Sequence, residues 1–543
     1  MLLPTFEMSS AYAAQRVYAS YSALERSISV TALEEFVRTG AVDESLAVYA
    51  EYLKPAQLQE LRRMLQSPIK ANAVAVSQFL YTPQGEFLLR RLGEVIKTES
   101  RQEKPGFHAL RSALILAAAE EGGLTLLGLL REYPGASIHI DLARTLGIAS
   151  ELEKMVSDTE KAITAVSQKA KTEAAIEQPS FLSAKLPDFR RKGKFATSKQ
   201  TYKLLDAVRN RFLLTEVYIP SGIEKVPVIV ISHGVGTDSS NFEYLGSHLA
   251  SHGFAVIVPN HPGSDTKQLS SLMKGSANEV AEPSEFYNRP LDIKFVLDEL
   301  QQRNKSTFRG RLNFDEVGVF GQSFGGYTGL ALAGAQINFG QLEKDCKPKA
   351  LTETWNVSLL LQCRALELRK FGPLVSYDLH DKRIKAVIAV NPITSSIFGE
   401  TGLNNIKIPV MIVASSDDTV APALYEQILP FSWIGNQQKY LAVMQGATHF
   451  SAIGEGKNDA NQIGLPSDIA GDDPAQVRKY LNSLSLPFFQ SHVAGMTKYA
   501  PYLNAAYAKA ISTQPLGLNL IQSLTSTELA QAFNGELKQI KQP

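Results

Sequence analysis

The chain has 543 residues, 44% of them hydrophobic, and a formal net charge of +1 at neutral pH. That length exceeds one ordinary core and points to two domains, while the near-neutral balance gives no general field for nucleic acid or an anionic membrane, the longest basic run being Arg190-Arg191-Lys192 with Lys194 close by. Nucleic acid is therefore not an expected partner, and since even the run Ser112 to Ala119 breaks at Glu120, no transmembrane segment of about 18 uncharged apolar residues is present and the chain reads as soluble.

Residues 1–24 join an apolar start to the small-residue run Ser10-Ala11-Tyr12-Ala13-Ala14, which looks like the tail of a secretory signal but lacks its basic n-region. Two readings stay open: a signal remnant on an exported, periplasmic or lumenal protein, or the ordinary N-terminal segment of a cytoplasmic one. Residues 25–148 predict an all-α helical domain. Thr31-Ala32-Leu33-Glu34 reads as a capping-box start, and Gly40 stops the stripe Leu33, Phe36, Val37. Pro55 opens a helix with Leu58, Leu61 and Leu65 on one face, and Pro83 opens another with Phe87, Leu88, Leu92 and Val95. This region offers no nucleophile, metal cluster or phosphate loop, and His108 and His139 stand alone among apolar neighbours. The Glu-, Lys-, Ala- and Ser-rich stretch from Ala149 to Gln178 predicts an exposed connector helix, which makes 149–199 a linker.

Residues 200–543 read as an α/β domain. Thr201 to Leu205 and Phe212 to Ile219 predict an antiparallel hairpin at a sheet edge. Val226 to Ser232 is a continuous apolar run, as in a strand buried on both faces, and ends in His233-Gly234-Val235-Gly236. Strand and helix then alternate, with a helix from Phe242 to Ser251, a strand from Phe254 to Val258 and a helix from Pro290 to Gln301. Further strands follow at Val317 to Gly321, Ile384 to Val390, Val410 to Ala414 and Tyr440 to Val443. Such alternation predicts a mainly parallel sheet with helices on both faces.

The strand at Val317 runs into Gly321-Gln322-Ser323-Phe324-Gly325 and then into the small-residue segment Gly326 to Ala333. Strand, sharp turn and helix form the context of a nucleophile elbow. The serine sits in a strained turn with its hydroxyl beyond the sheet, and Gly321 and Gly325 leave room for close chain approach. In this arrangement an acid and then a histidine follow the serine along the chain. His380 precedes any suitable acid and His492 lies in a late helical segment, whereas His449 follows the last strand in Gly446-Ala447-Thr448-His449-Phe450. Loops at the carboxyl ends of strands are where α/β sheets bind ligands, which favours His449. The acid belongs after the strand Val410 to Ala414, where both Asp417 and Asp418 stand.

Ser232-His233-Gly234-Val235-Gly236, Val258-Pro259-Asn260-His261-Pro262-Gly263-Ser264 and Gly321-Gln322-Ser323-Phe324-Gly325-Gly326 together resemble an α/β-hydrolase of the platelet-activating-factor acetylhydrolase and dienelactone-hydrolase-like group. The resemblance covers residues 200 to 455 or so, and the front half resembles the helical domain of unknown function that precedes such hydrolases in cyanobacterial proteins. It implies an α/β-hydrolase fold and a Ser-His-Asp triad of Ser323, His449 and Asp418, because relatives carry an aspartate four residues before the proline that stands here at Pro422. It also implies an oxyanion hole made by the backbone amides of Val235 and Phe324. The implied activity is that of a serine carboxylic-ester hydrolase without metal or organic cofactor, acting on a small-molecule ester or lipid, such as short acyl groups on a phospholipid. A serine nucleophile departs from the cysteine of dienelactone hydrolases proper. Hydrolysis of lactones, polyesters or amides, or a non-catalytic lipid-binding or scaffold role, stand as alternatives. His233 reads as a structural residue of its turn; for His261 and Asp265, in the loop after the next strand, lining the cleft is one reading and an ordinary solvated loop the favoured one.

Residues 335–383 interrupt the alternation after the nucleophile helix. They hold both cysteines, Cys346 and Cys363, with Trp355, Leu359, Leu360, Leu361 and Phe371. A lid that walls a pocket for an acyl chain is one reading, and an insertion packed on the sheet edge is the other. A disulfide between Cys346 and Cys363 would staple this segment in an oxidising compartment, with free thiols the cytosolic alternative. Neither cysteine stands at ligand spacing from a histidine, so zinc is not indicated. Residues 455–543 form a helical extension, with helices expected at Val477 to Leu481, Tyr502 to Ile511 and Thr527 to Phe533.

Overall fold

The computed structural model describes residues 14–534 apart from 22–23, 52, 70–71, 99–105, 178–186, 372–377 and 457–472. Residues 1–13, with most of the signal-like segment, lie outside the described residues. The chain divides into a first unit of residues 1–154 with 271–279 and a second of 155–270 with 280–543.

In the first unit the expected helices are present, with proline at the first position of Pro55–Gln66 and Pro83–Val95, where an N–H has no helical partner to lose. The helix Val30–Thr39 starts just ahead of the expected box. Ser29 Oγ accepts from Ala32 N, and Gly40, at φ +81°, ends the helix. Beside the helices stands a small sheet absent from the all-α expectation: β1 (Arg16–Tyr21), β2 (Leu24–Ser29), β3 (Ile96–Lys97) and β4 (Ser137–Asp141), in the order β2-β1-β4-β3. These strands are short and half-exposed, so they carry no clean two-residue alternation, and β1 pairs in parallel with β4 from the far end of the unit. Among the described residues, two buried clusters form the unit's core, one with Leu89, Leu110, Ala113, Tyr133 and Ile138 and the other with Leu33, Phe36, Leu46, Leu65 and Leu127.

The second unit is built on a nine-stranded sheet, ordered β13-β12-β11-β10-β9-β7-β8-β6-β5. The edge hairpin is β5 (Thr197–Asp206) and β6 (Arg211–Pro220). The parallel strands are β7 (Val226–Ser232), β8 (Ala255–Pro259), β9 (Leu312–Gln322), β10 (Ile384–Val390), β11 (Val410–Ser415) and β12 (Lys439–Met444). A last strand not expected from the sequence, β13 (Leu518–Ile521), pairs antiparallel with β12. The apolar runs bury both faces of the sheet: Val228, Val230, Val319, Val387 and Ile412 face one core, and Ile229, Ile231, Phe320, Ile388 and Met411 the other.

Two helices depart from their expected roles. Leu142–Glu177 is a continuous helix of 36 residues, and in the second unit Ala162, Ile163, Val166, Ala170 and Ala174 are buried, so its later turns are core rather than exposed connector. Small alanines at helical spacing hide such a stripe from a hydrophobicity count. The helix Glu285–Gln302 begins ahead of Pro290 and holds it internally. The carbonyl that Pro290 leaves without a donor, Phe286 O, accepts instead from the Tyr327 hydroxyl at 2.7 Å. Among the described residues no helix is long and apolar enough to cross a membrane.

His248, in the helix Glu243–Ser251, is buried, and burial, aided by the neighbouring His252 ring, holds its pKa down at about 3. An unfolded chain takes up a proton there near pH 6.5 that the folded chain refuses, so this residue's contribution to stability is complete above that pH and falls on acidification. Urea unfolding at neutral pH and at about pH 5 is expected to show the unmodified chain losing about 2 kcal/mol more than His248→Gln over that interval.

Candidate active site

β9 ends at Gln322 and the next helix, Phe324–Leu332, starts two residues later, which leaves Ser323 at φ +56° and ψ −117°. A non-glycine residue adopts that conformation only under constraint. Here Ser323 N donates to Val390 O (2.8 Å) at the end of β10, and Tyr327 N donates to Ser323 O (3.1 Å). The two flanking glycines are sterically required. A Cβ on Gly321 would overlap the carbonyl of Gly325, and one on Gly325 would overlap the carbonyl of Ser232 at the end of β7.

Ser323 Oγ lies 2.9 Å from His449 Nε2, and His449 Nδ1 lies 2.6 Å from Asp418 Oδ2. All three residues are less than a tenth exposed. Asp418 Oδ1 accepts from the amides of Val420 (2.9 Å) and Ala421 (2.7 Å), so the carboxylate is oriented with Oδ2 toward the imidazole. The geometry separates the two candidate acids: Asp417 is exposed and takes the hydroxyl of Ser416, away from the ring. With Asp418 accepting, Nδ1 carries the imidazole proton and Nε2 is left to accept from the Ser323 hydroxyl. His492 bonds the Tyr440 hydroxyl instead (3.1 Å).

Two residues that the sequence reading passed over fix the histidine loop. Gln322 Nε2 donates to His449 O (3.1 Å). Asn391, at φ +45°, donates to Ser415 Oγ (3.0 Å) and His449 O (3.3 Å) and accepts from Ser415 N (3.0 Å), tying the ends of β10 and β11 to that loop. The available signal was position: Asn391-Pro392 directly follows a buried strand, at the sheet edge where sites form.

The turn after β7 borders the serine, since a Cβ on Gly234 would stand 3.3 Å from Ser323 Cβ. Val235 lies in that turn, and the amide of Phe324, opening its helix, has no helical carbonyl to bond. His233 is wholly buried; its Nδ1 donates to Gly234 O (2.7 Å) and its Nε2 accepts from His261 N (3.0 Å). Burial first, then the charge of Arg289, keeps this ring neutral, far below the usual histidine range. His261 is not in a solvated loop. It is fully buried, with Nδ1 3.0 Å from Asp292 Oδ2 and Nε2 3.0 Å from Ser232 Oγ, because the chain after β8 folds back between the end of β7 and the helix Glu285–Gln302. Asp265 is buried as well; burial raises its pKa, and Oδ1 accepts from Gln268 N (3.0 Å).

The insertion is fastened into the body of the second unit. Cys346 and Cys363 are disulfide-bonded, and Leu359 and Leu360 are buried. Gln362 Oε1 accepts from the amides of Ser396 (3.0 Å) and Ile397 (2.9 Å). Its Nε2, with Asn356 Nδ2, donates to Glu426 Oε1 (2.9 and 2.6 Å). The fully buried Glu426 carboxylate also accepts from Thr394 N, Ser395 N and Ser395 Oγ. Ser358 N donates to Val420 O (2.8 Å), one peptide from Asp418's amide partners.

Residues 13–141 match a family described as alpha/beta hydrolase of unknown function (DUF1400), and residues 227–336 match the alpha/beta hydrolase fold family. Among curated proteins, platelet-activating factor acetylhydrolase of Bos taurus is 27% identical over a stretch covering 19% of this chain and 31% of that protein. The match therefore takes in less than a third of the relative's own length.

Glu426→Gln places an NH₂ group against donors that now meet a carboxylate. The substitution is expected to lower the unfolding free energy by about 2–4 kcal/mol in chemical denaturation.

Proposed function

Because the chain is an α/β-hydrolase, we propose that it is a serine hydrolase of carboxylic esters, with Ser323 as nucleophile, His449 as general base and acid, and Asp418 as the residue that orients the imidazole. The reading rests on one observation: the continuous contact from Ser323 Oγ to His449 Nε2 (2.9 Å) and from His449 Nδ1 to Asp418 Oδ2 (2.6 Å). Ser323 Oγ attacks the ester carbonyl as its proton passes to Nε2. The amides of Val235 and Phe324 receive the developing oxyanion, each such donor contributing about 3 kcal/mol to transition-state stabilisation. The C–O bond then breaks, Nε2 returns its proton to the leaving alcohol, and water, deprotonated by the same nitrogen, releases the acid from the acyl-enzyme.

The likeness to an acetylhydrolase supports short acyl groups, on a phospholipid or a similar lipid, as the substrate class. With an activated acetate ester, Ser323→Ala is expected to lose at least about a thousandfold in kcat. A fluorophosphonate is expected to add to Ser323 of the folded chain. Full activity in Ser323→Ala overturns the mechanism, and failure of the folded chain to label favours a non-catalytic role.

A further inference from the structure

Behind the turn and the helix that carry Val235 and Phe324 lies buried charge that this mechanism does not use. Arg289, in the helix Glu285–Gln302, is fully buried. Its Nη1 donates to Ser264 Oγ (2.9 Å) and its Nε to Thr328 Oγ1 (3.3 Å). Its Nη2 donates to the carbonyl of His233 and to Ser232 Oγ (3.4 Å). The guanidinium also stands 4.8 Å over the Phe324 ring. These partners fall mainly into two groups. His233 opens the turn that holds Val235, and Ser264 braces its far end, because Gly236 N donates to Ser264 O (2.9 Å). Phe324 and Thr328 belong to the helix after Ser323, where Thr328 Oγ1 donates to Phe324 O (2.8 Å).

An arginine suits this position because its planar fork presents several donors at fixed angles, whereas a lysine offers one point charge. A lone buried cation is prohibitively unfavourable, so counter-charges must accompany it. Ser264 Oγ passes its hydrogen to Glu285 Oε2 (3.1 Å), and Ser232 Oγ passes its own to His261 Nε2 (3.0 Å). His261 Nδ1 in turn donates to Asp292. Arg211 holds both acids, through two bonds to Asp292 (2.9 and 2.7 Å) and two to Glu285 (2.8 and 3.3 Å). Burial lowers the Arg289 pKa to about 10, against the pull of Glu285 and Asp292, so the group is cationic at neutral pH.

We infer that Arg289 is a positioning residue that sets the spacing of the two oxyanion amides, by bonding the turn that carries Val235 and the helix that starts at Phe324 to one rigid cation. The inference rests on the serine mechanism proposed above. Arg289 bonds neither Ser323 nor His449, so its effect is on the geometry with which two amides converge on one oxygen.

The test uses full-length Arg289→Met, Arg289→Lys and Thr328→Val, with kcat and KM measured on an activated acetate ester and on its thiono counterpart, and with thermal melting as the check on folding. In Arg289→Met, kcat is expected to fall about a hundredfold to a thousandfold with KM little changed. Its preference for the ester over the thionoester is expected to shrink, since that preference reads donors aimed at an oxyanion. Arg289→Lys is expected to recover part of the loss. Thr328→Val, which removes the guanidinium's acceptor on the helix, is expected to lose roughly tenfold in kcat while melting as the unmodified chain does. Should Arg289→Met not fold, Thr328→Val decides. A folded variant of either kind that keeps the original kcat and the original oxygen-over-sulfur preference overturns the inference. If Ser323→Ala is inactive at the same time, the serine mechanism survives that result; if Ser323→Ala is active, the mechanism itself has failed.

Discussion

The left-handed backbone at Ser323 is the constraint on which the site depends. A non-glycine residue held there costs about 1–3 kcal/mol, which the surroundings must offset. They do so through the sheet: β9 lies between β7 and β10, and both neighbours bear on the elbow. The end of β10 accepts the Ser323 amide, and the end of β7 comes so close to Gly325 that no side chain fits. The same stack of strands delivers the other two groups, since β11 leads into Asp418 and its neighbour β12 into His449. Gln322 and Asn391 bond the His449 carbonyl to the ends of β9 and β10, so the histidine is referenced to the strand that carries the serine.

How much of this was legible in the sequence depends on how local each requirement is. The elbow is specified within five residues, because the glycines that permit it flank the serine directly, and His449 follows from strand order alone. Asp418 and Asp417 are adjacent in sequence and alike in chemistry; they differ in which one faces the amides of Val420 and Ala421, and that is a fact of the folded loop. His261 was misread for the opposite reason. Its Pro-Gly-Ser surroundings have the composition of a solvated loop, yet its partners Ser232 and Asp292 stand 29 and 31 residues away. The small sheet of the first unit was hidden likewise by long-range pairing, and the alanine stripe of Leu142–Glu177 by residues that also suit an exposed helix.

The buried charges behind the elbow are poor candidates for stability as such, because desolvation consumes most of the attraction between them. Their value lies in direction. Every donor of Arg211 and Arg289 that meets an acceptor fixes an angle as well as a distance, and those acceptors belong to β7, to the turn after it, to the loop after β8, to the helix Glu285–Gln302 and to the helix after Ser323. An apolar filling of equal volume would hold these segments together without specifying how they face one another.

The insertion carries the same logic to the acid. Its side chains bond Glu426 and the Ser396 and Ile397 amides, and the disulfide closes the segment between its first and third helices. The fastening reaches the site through one peptide. Val420 accepts from Ser358 on its carbonyl side and donates to Asp418 on its amide side. A short chain of bonds therefore runs from Ser358 of the insertion through the Val420 residue to the Asp418 carboxylate, which meets His449 Nδ1 on its other oxygen, whereas the path to Ser323 is longer by the imidazole itself.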